Sequence, residues 1–234
     1  MAQAPVARSF VMPPRESWLP LVEAAIEEDV GPGDLTTEIV VDAEHLGQAR
    51  IEARASMVVC GLVIAEEVFH QVDPKLQIER ESEIEDGVRL RGPSALFRVH
   101  GRTRSILAAE RVALNFLGRL CGIATQTRSL VDRVADLKVD LVDTRKTTPG
   151  WRQLEKYAVA VGGGVNHRVG LFDALLVKDN HIAAAGGLDA AVDRALAKAP
   201  HGVPVPGLHA QVLGQVLVGY AVGHRIPRSL EISL

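Results

Sequence analysis

One stretch in the second half of the chain decides the fold. Residues 138 to 181 read KVDLVDTRKTTPGWRQLEKYAVAVGGGVNHRVGLFDALLVKDNH. Residues 139–142 are a short apolar run that indicates a strand, and residues 151–161 carry apolar side chains at helical spacing. Residues 175–177 indicate the next buried strand, and residues 188–196 indicate the next helix. A recurring order of strand, loop and helix is typical of a parallel α/β sheet or barrel.

The first half of the chain has a different pattern, with its strands grouped together. Short alternating or apolar runs predict strands with a buried face at residues 48–55, 57–64, 76–84 and 96–100. Between them, residues 65–71 would form a short helix. Residues 103–134 then carry apolar side chains at helical spacing and predict one or two long helices.

Together these patterns predict two domains. An α+β N-terminal domain would cover residues 18–122, and an α/β barrel domain would cover residues 123–234. A complete eight-stranded barrel takes about 200 residues, whereas 97 residues follow Leu137. Three of the last 34 residues are charged, and the barrel pattern fades after about residue 205. We therefore expect an incomplete barrel, which would be open, TIM-like and truncated.

Charge and composition exclude several classes of protein. The chain has 26 Lys and Arg against 29 Asp and Glu, and this net charge of -3 argues against a general nucleic-acid-binding protein. It contains no apolar run of about 18 residues, so we expect no membrane span. Residues 1–20 lack the continuous apolar core of a secretory signal. Cys60 and Cys121 lie in apolar surroundings without metal-ligand spacing, which indicates reduced, buried thiols and a cytoplasmic protein.

Polar loops follow the two strands predicted in the second half. They cover residues 143–150 and 178–181, and a third polar segment at residues 162–168 lies between them. Ligands of β/α folds bind at the carboxyl ends of the strands, where these loops would meet. The loops carry five side chains that suit an anion, namely Arg145, Lys146, His167, Arg168 and Lys178. Several positive charges around one opening predict a polyanionic ligand. The three successive glycines at 162–164 would allow the backbone to come close to such a ligand.

Each of these residues also has a structural explanation. An Arg-Lys pair is commonly a solvated surface feature, glycines at 162–164 can end a helix, and Lys178 can mark where a strand leaves the core. Arg111 is the sharper case because it lies in an almost wholly apolar helix. A charge in that position must be paired with a carboxylate or must face a ligand or a partner chain.

Six ordered segments together resemble the quinolinate phosphoribosyltransferases, which are also called nicotinate-nucleotide pyrophosphorylases (carboxylating). The segments are EDVGPGDLTT (28–37), AAERVALN (108–115), TRKTTPG (144–150), EKYA (155–158), GGGVNHR (162–168) and KDNH (178–181). The resemblance implies transfer of a phosphoribosyl group from phosphoribosyl pyrophosphate to quinolinate, with decarboxylation. The products would be nicotinate mononucleotide, pyrophosphate and CO2, a step of NAD biosynthesis that uses Mg2+.

The resemblance also implies roles for individual residues. Arg145, Lys146, His167 and Arg168 would hold the quinolinate carboxylates, and Thr144 would belong to the same binding loop. Lys178 would lie near the phosphoribosyl group. Lys146 and Lys178 are the expected catalytic residues, because they would stabilise anionic groups. Arg111 would reach into the partner's active site in a homodimer, whereas no metal ligand is identified.

The last part of the chain departs from the family pattern. Residues 229–234 resemble the family's terminal strand, which returns to the N-terminal domain, but the preceding carboxylates and glycine-rich phosphate loops are missing. We therefore expect quinolinate binding with weak or absent turnover. Two alternatives stay open: a related phosphoribosyltransferase that acts on another acidic heterocycle, and a non-catalytic remnant that binds an anion or pairs with a full-length subunit.

Overall fold

A computed structural model of the chain describes residues 10–200 and the backbone of residues 230–233. The first part contains α1 (Leu19–Asp29), α2 (Leu35–Val40), β1 (Leu46–Ala53), β2 (Met57–Val58), α3 (Leu62–Val72), β3 (Gln77–Arg80), β4 (Arg89–Leu90), β5 (Ser94–Arg102) and α4 (Thr103–Arg133). The second part contains α5 (Arg152–Val161), α6 (Asp179–Ala185), α7 (Leu188–Lys198) and β6 (Leu230–Ser233). The fold is thus an α+β N-terminal domain followed by an incomplete α/β part.

The N-terminal domain is built on a four-stranded antiparallel sheet. Its strand order is β3-β5-β1-β6, and β2 pairs separately with β4. The side chains of Ala49, Ile51 and Ala53 on β1 are fully buried, because alternate residues of a strand point to the same face. A bulge between Ile51 and Glu52 interrupts the pairing of β1 with β5.

The strand β6 lies beside β1 in this sheet. The two strands pair antiparallel from Arg50 opposite Ser233 to Ala53 opposite Leu230. The last described strand therefore belongs to the sheet of the N-terminal domain, although it follows α5, α6 and α7 in the sequence. The expected departure from the family pattern after about residue 205 falls within residues 201–229, which lie outside the described residues.

The helix α4 connects the two parts of the molecule. It is one continuous helix of 31 residues, with buried side chains that include Ile106, Ala113 and Leu117. It packs against α3 in the N-terminal domain and against α5 in the second part. Among the described residues, no helix has both the length and the apolar character that a membrane span requires.

The apolar run at residues 57–64 suggested one strand, but the structure divides these residues between a strand and a helix. The strand β2 covers only Met57 and Val58, and α3 begins at Leu62 after Gly61, which has a φ of 96°. The Asp86 carboxylate accepts hydrogen bonds from the backbone N–H groups of Gly61 (2.8 Å) and Leu62 (3.2 Å). The carboxylate favours a helix N-terminus because it accepts from the first N–H groups, and the positive φ of Gly61 lets the chain turn into the helix at no steric cost.

The predicted strands of the second part are also shorter than expected. Residues 139–142 contribute a single parallel bridge, between Val142 and Val165, and residues 175–177 have no strand partner among the described residues. The expected loop at 178–181 is instead the start of α6, with Lys178 at its N-cap. A short apolar run becomes a strand only where a neighbouring strand supplies hydrogen bonds, and the described residues form no closed barrel.

Tyr157 of α5 ties the second part to the N-terminal domain. Its hydroxyl donates to Asp86 Oδ2 over 2.7 Å, and this carboxylate is the one that caps α3. Burial, together with the negative charge of Asp86, raises the pKa of Tyr157 well above its usual range. The hydroxyl therefore keeps its proton and remains a donor.

The glycines at 162–164 serve packing. Gly162 ends α5, and a Cβ atom on it would lie 2.5 Å from the Ala124 carbonyl oxygen and 2.6 Å from Thr127 Cβ, both on α4. A Cβ on Gly164 would lie 2.6 Å from a methyl group of Val159. The small residues thus bring α5 against α4, and a role in the approach of a ligand stays a prediction.

Replacing Gly162 with Ala should destabilise the protein. The added methyl group would push α5 away from the α4 backbone, and overpacking of this kind costs about 1–3 kcal/mol. Urea unfolding of Gly162→Ala measures this cost. Gly92→Ala is the control, because nothing lies within 4 Å of a Cβ at Gly92, and an equal loss in both variants would contradict the packing role.

Asp34 caps the helix α2. Its side chain accepts hydrogen bonds from the backbone N–H and the hydroxyl of Thr37. These bonds lower the pKa of Asp34 below its ordinary value, the hydroxyl contributing most. A carboxylate whose pKa is lower in the folded state stabilises that state above its unfolded pKa, and the stabilisation is lost as the pH falls through the folded value.

The Asp34→Ala variant tests this cap. At neutral pH it should be about 1 kcal/mol less stable than the wild type, the usual cost of losing an N-cap. The difference should shrink as the pH falls below the ordinary Asp pKa of 3.8. Unfolding measured by circular dichroism across this pH range provides the check, and a pH-independent difference would argue against a charged cap.

Candidate active site

A buried ion pair lies at the start of the first polar loop. Lys156 of α5 and Asp143 are both almost fully buried, and Lys156 Nζ lies 2.6 Å from Asp143 Oδ1. Lys156 Nζ also donates to the backbone oxygen of His167 over 2.9 Å, and the His167 N–H donates to Asp143 Oδ1 over 2.7 Å. The pair therefore joins the end of the predicted strand, the helix α5 and the segment around His167.

Asn166 completes the surroundings of the Asp143 carboxylate. With its amide in the orientation that satisfies its neighbours, the Asn166 side-chain nitrogen donates to Asp143 Oδ2 and to the Lys156 carbonyl, over 2.9 Å each. Burial raises the pKa of Asp143 above its ordinary value, while Lys156 and the His167 N–H act in the opposite direction. The carboxylate is thus costly to bury and is held by three donors.

Arg152 connects the two polar segments one helical turn before Lys156. Its Nε donates to Thr147 Oγ1 over 3.0 Å, and its Nη1 donates to the Val169 carbonyl over 3.1 Å. A longer contact of 3.5 Å joins Nη2 to the Arg145 carbonyl. One guanidinium therefore holds the backbone of loop 144–148 next to the backbone that follows Arg168.

A second ion pair fixes the end of loop 144–148. Arg119 of α4 pairs with the buried Glu155 of α5 and also donates to Thr148 Oγ1. The Thr148 N–H in turn donates to Glu155 Oε2 over 3.3 Å. The Arg119 guanidinium lies over the Trp151 ring at 5.1 Å from its centroid, so the loop end is held by charge and by stacking.

The structure brings five of the predicted site residues onto these two adjoining segments, namely Thr144, Arg145, Lys146, His167 and Arg168. Arg145 Nε is buried and has no hydrogen-bond partner among the described residues. Lys146 is exposed, and its backbone N–H donates to Thr144 Oγ1 over 3.0 Å. His167 Nδ1 accepts from the Arg168 N–H over 2.7 Å, which places the ring hydrogen on Nε2. Arg168 Nη1 donates to the Ala174 carbonyl over 3.1 Å.

Lys178 and Arg111 lie apart from these contacts. Lys178 is exposed at the start of α6, where its backbone N–H donates to His181 Nδ1 over 3.1 Å. Arg111 is exposed on α4 and makes no ion pair within the described part of the chain. The structural alternative of a buried salt bridge across the core is therefore wrong for Arg111.

The charges that hold the loops were not identified as functional from the sequence. No sequence pattern indicates a role for four of these charges, namely Asp143, Arg119, Arg152 and Lys156. The position of Glu155, in contrast, indicates that its charge has a partner. Residues 151, 154 and 158 form an apolar stripe, and position 155 falls inside that stripe at helical spacing. A charge on the buried face of a helix must have a partner, so this spacing would have indicated an ion pair between Glu155 and a neighbouring element.

The two parts of the chain match two models of one protein family. Residues 34–121 match the quinolinate phosphoribosyl transferase N-terminal domain, and residues 123–216 match its C-terminal domain. The chain belongs to the quinolinate phosphoribosyltransferase family. The boundary between the two matched domains falls inside α4, and the second match extends past residue 205.

Individual family members are similar over most of the chain. A chloroplastic nicotinate-nucleotide pyrophosphorylase (carboxylating) of Oryza sativa subsp. japonica is 41% identical over 206 residues, which cover 85% of this chain and 54% of that protein. A probable nicotinate-nucleotide pyrophosphorylase of Bacillus subtilis is 42% identical over 178 residues, covering 76% and 61%. The crystal structure of NadC from Streptococcus pyogenes has a TM-score of 0.77 at 39% identity, covering 82% of this chain and 67% of that one. The chain spans about half the length of the curated relatives it matches.

The described residues contain no group of three or more His, Cys, Asp or Glu side chains that could hold a metal ion. Mg2+ is usually held by one or two carboxylates together with the phosphates of a substrate. The charged groups of this site do not fit a metal ion held by the protein, because Asp143 and Glu155 are both engaged by basic side chains.

Replacing Arg119 with Met should destabilise the protein through Glu155. The substitution leaves a buried carboxylate without its cation, and we expect a loss of about 2 kcal/mol, below the range for fully buried pairs because Arg119 keeps some exposure. Arg128→Met on the same helix is the control. Arg128 pairs with Asp132, whose carboxylate is 40% exposed whereas that of Glu155 is 5% exposed, and pairs with an exposed partner contribute about 0.5 kcal/mol. Chemical denaturation of both variants measures the difference, and equal losses would contradict the prediction.

Proposed function

We propose that the chain transfers a phosphoribosyl group from phosphoribosyl pyrophosphate to quinolinate and forms nicotinate mononucleotide, pyrophosphate and CO2. The observation that carries the proposal is the joining of two anion-binding segments by buried charges of α5. Loop 144–148 and the segment at 166–169 carry Arg145, Lys146, His167 and Arg168, and Lys156 and Arg152 hold the backbone of both segments. Membership of the family supports the same reaction.

Quinolinate suits the donors that remain free in this site. It is a dicarboxylate, and each of its carboxylates needs donors placed side by side. Arg145 Nε is buried without a partner among the described residues, so a ligand acceptor would remove the cost of leaving it unsatisfied. The Nδ1 atom of His167 accepts a hydrogen bond from the Arg168 N–H. The Nε2–H group lies on the other side of the ring and supplies a further donor.

The phosphoribosyl group is the second anion. Lys146 and Lys178 are exposed, and their ammonium groups are point charges that suit phosphate oxygens. Mg2+ would arrive bound to the pyrophosphate of the substrate. It would neutralise charge on the departing pyrophosphate, whereas the protein supplies the lysines and the quinolinate donors.

The proposed chemistry needs positioning and charge stabilisation. The pyridine nitrogen attacks the anomeric carbon of the ribose while the bond to the pyrophosphate oxygen breaks, which gives a positively charged ring. A carboxylate then leaves as CO2, its bonding electrons pass to the ring carbon, and a proton from solvent replaces it. Lys146 and Lys178 would stabilise the anionic groups at the first step, and neither would act as a nucleophile.

We also propose a homodimer in a cytoplasmic setting. Exposure of Arg111 on α4 supports a contact with a partner chain, whose active site Arg111 would complete. The thiols of Cys60 and Cys121 are buried, and burial raises the pKa of Cys121 to about 12. Protonated thiols packed in a core suit a reducing compartment. Neither nucleic acid nor membrane has a role in this proposal.

The Arg145→Met variant tests the assignment of quinolinate to this site. It should raise the quinolinate Kd about 10–100-fold, because it removes charge-assisted hydrogen bonds of about 1.5–3 kcal/mol. Titration calorimetry of purified protein provides the measurement, and Lys75→Met, at an exposed turn outside the site, provides the control. Equal Kd values in both variants would contradict the assignment.

The reaction itself is tested by following nicotinate mononucleotide with quinolinate, phosphoribosyl pyrophosphate and Mg2+ present. Product should require the metal, because removal of Mg2+ leaves the charge of the pyrophosphate uncompensated. Nicotinate and other ring acids serve as competitors that separate quinolinate from other heterocycles. A chain that forms no nicotinate mononucleotide would overturn the proposed transfer, and a chain that also binds no quinolinate would overturn the assignment of the site.

A further inference from the structure

We propose that the buried pair of Lys156 and Asp143 positions the anion-binding residues His167 and Arg168. The inference rests on the proposed function, since it assigns a role to residues that lie behind the quinolinate site. Neither Lys156 nor Asp143 contacts the ligand in this proposal. Both act through the backbone of His167.

The geometry around His167 carries the inference. The N–H group of His167 donates to Asp143 Oδ1 over 2.7 Å, and its carbonyl accepts from Lys156 Nζ over 2.9 Å. Lys156 Nζ and Asp143 Oδ1 are themselves 2.6 Å apart. One residue is therefore held at both of its backbone polar groups by two opposite charges that also hold each other.

This arrangement determines where the two side chains point. With the His167 backbone fixed, its ring accepts the Arg168 N–H at Nδ1, and Nε2 keeps its hydrogen for a ligand. The Arg168 side chain is anchored farther along, at the Ala174 carbonyl. A shift of the 167 backbone would move both donors, and misplacement by about 1 Å can cost two orders of magnitude in rate.

Lys156 is a positioning residue and not a catalytic one. Its side chain is 3% exposed, and its Nζ already bonds two protein acceptors. Lys146 and Lys178, in contrast, are exposed and free to meet an anionic ligand. The helix α5 thus supplies a buried lysine, whereas Lys146 in loop 144–148 and Lys178 at the start of α6 supply exposed ones.

The Lys156→Met variant tests the positioning role. It keeps the length of the side chain but leaves the Asp143 carboxylate and the His167 carbonyl without their donor. We expect the quinolinate Kd to rise about tenfold, equivalent to about 1.4 kcal/mol. The neighbouring variant Tyr157→Phe is the matched control. It removes the hydrogen bond to Asp86 in the N-terminal domain, which does not involve the backbone of His167 or Arg168, and it should leave the Kd unchanged.

A double variant separates positioning from stability. Asp143→Asn/Lys156→Met removes both buried charges, so it should unfold at a higher urea concentration than Lys156→Met while its quinolinate Kd remains at least as weak. A merely structural pair would restore both properties together. Recovery of wild-type Kd in the double variant, or an equal Kd in Lys156→Met and the wild type, would overturn the inference.

Amide hydrogen exchange gives a readout that does not depend on the reaction. In Lys156→Met, the N–H groups of His167 and Arg168 should exchange faster, while those inside α5 remain protected. If the wild type binds no quinolinate, the proposed function fails, and the exchange result still decides whether the pair holds this backbone. Unchanged exchange at these two residues would show that it does not.

Discussion

The buried contact between Lys156 and Asp143 is the interaction on which the arrangement of the second part depends. Moving two charges out of water is costly, and their attraction compensates for this only when the remaining donors and acceptors are satisfied. Here the carboxylate accepts from Lys156, from the His167 N–H and from the Asn166 amide. The carboxylate and its donors come from three stretches of chain, at residues 143, 156 and 166–167, so the conformation of each stretch depends on the other two.

The helix α5 supplies this and two further contacts because of how it packs. Gly162 at its end allows the backbone of α4 to approach, and this packing turns Arg152, Glu155 and Lys156 toward the loops. Arg152 reaches loop 144–148 and Val169, and Glu155 receives Arg119 from α4. Stability and site geometry thus share the same residues, and a substitution of Arg152 or Lys156 will also displace the anion-binding backbone.

The sequence predicted α4, α5 and α7 well because the helical repeat of apolar side chains is contained within each segment. Residues 175–177 do not form the predicted strand. An apolar triplet carries no information about which other segment would supply its hydrogen bonds. The family followed from six motifs, and the family models support it. The roles of Arg145, His167 and Lys178 remain predictions. The partners of Asp143 could not be predicted, because they depend on how α5 packs against α4.

Arg111 is a charged residue of α4 that has no ion-pair partner among the described residues. It lies on α4 at a spacing of four from Asn115 and eight from Arg119, so the three share one helix face over about 12 Å. Arg119 pairs with Glu155 and donates to Thr148 through its Nη2 within the chain, whereas Arg111 is exposed to solvent. In the proposed homodimer a partner would cover this face and remove that solvent. An anion opposite Arg111 would then be required, because a covered charge without a partner is unfavourable, and a polyanionic substrate bound to the partner subunit meets that requirement.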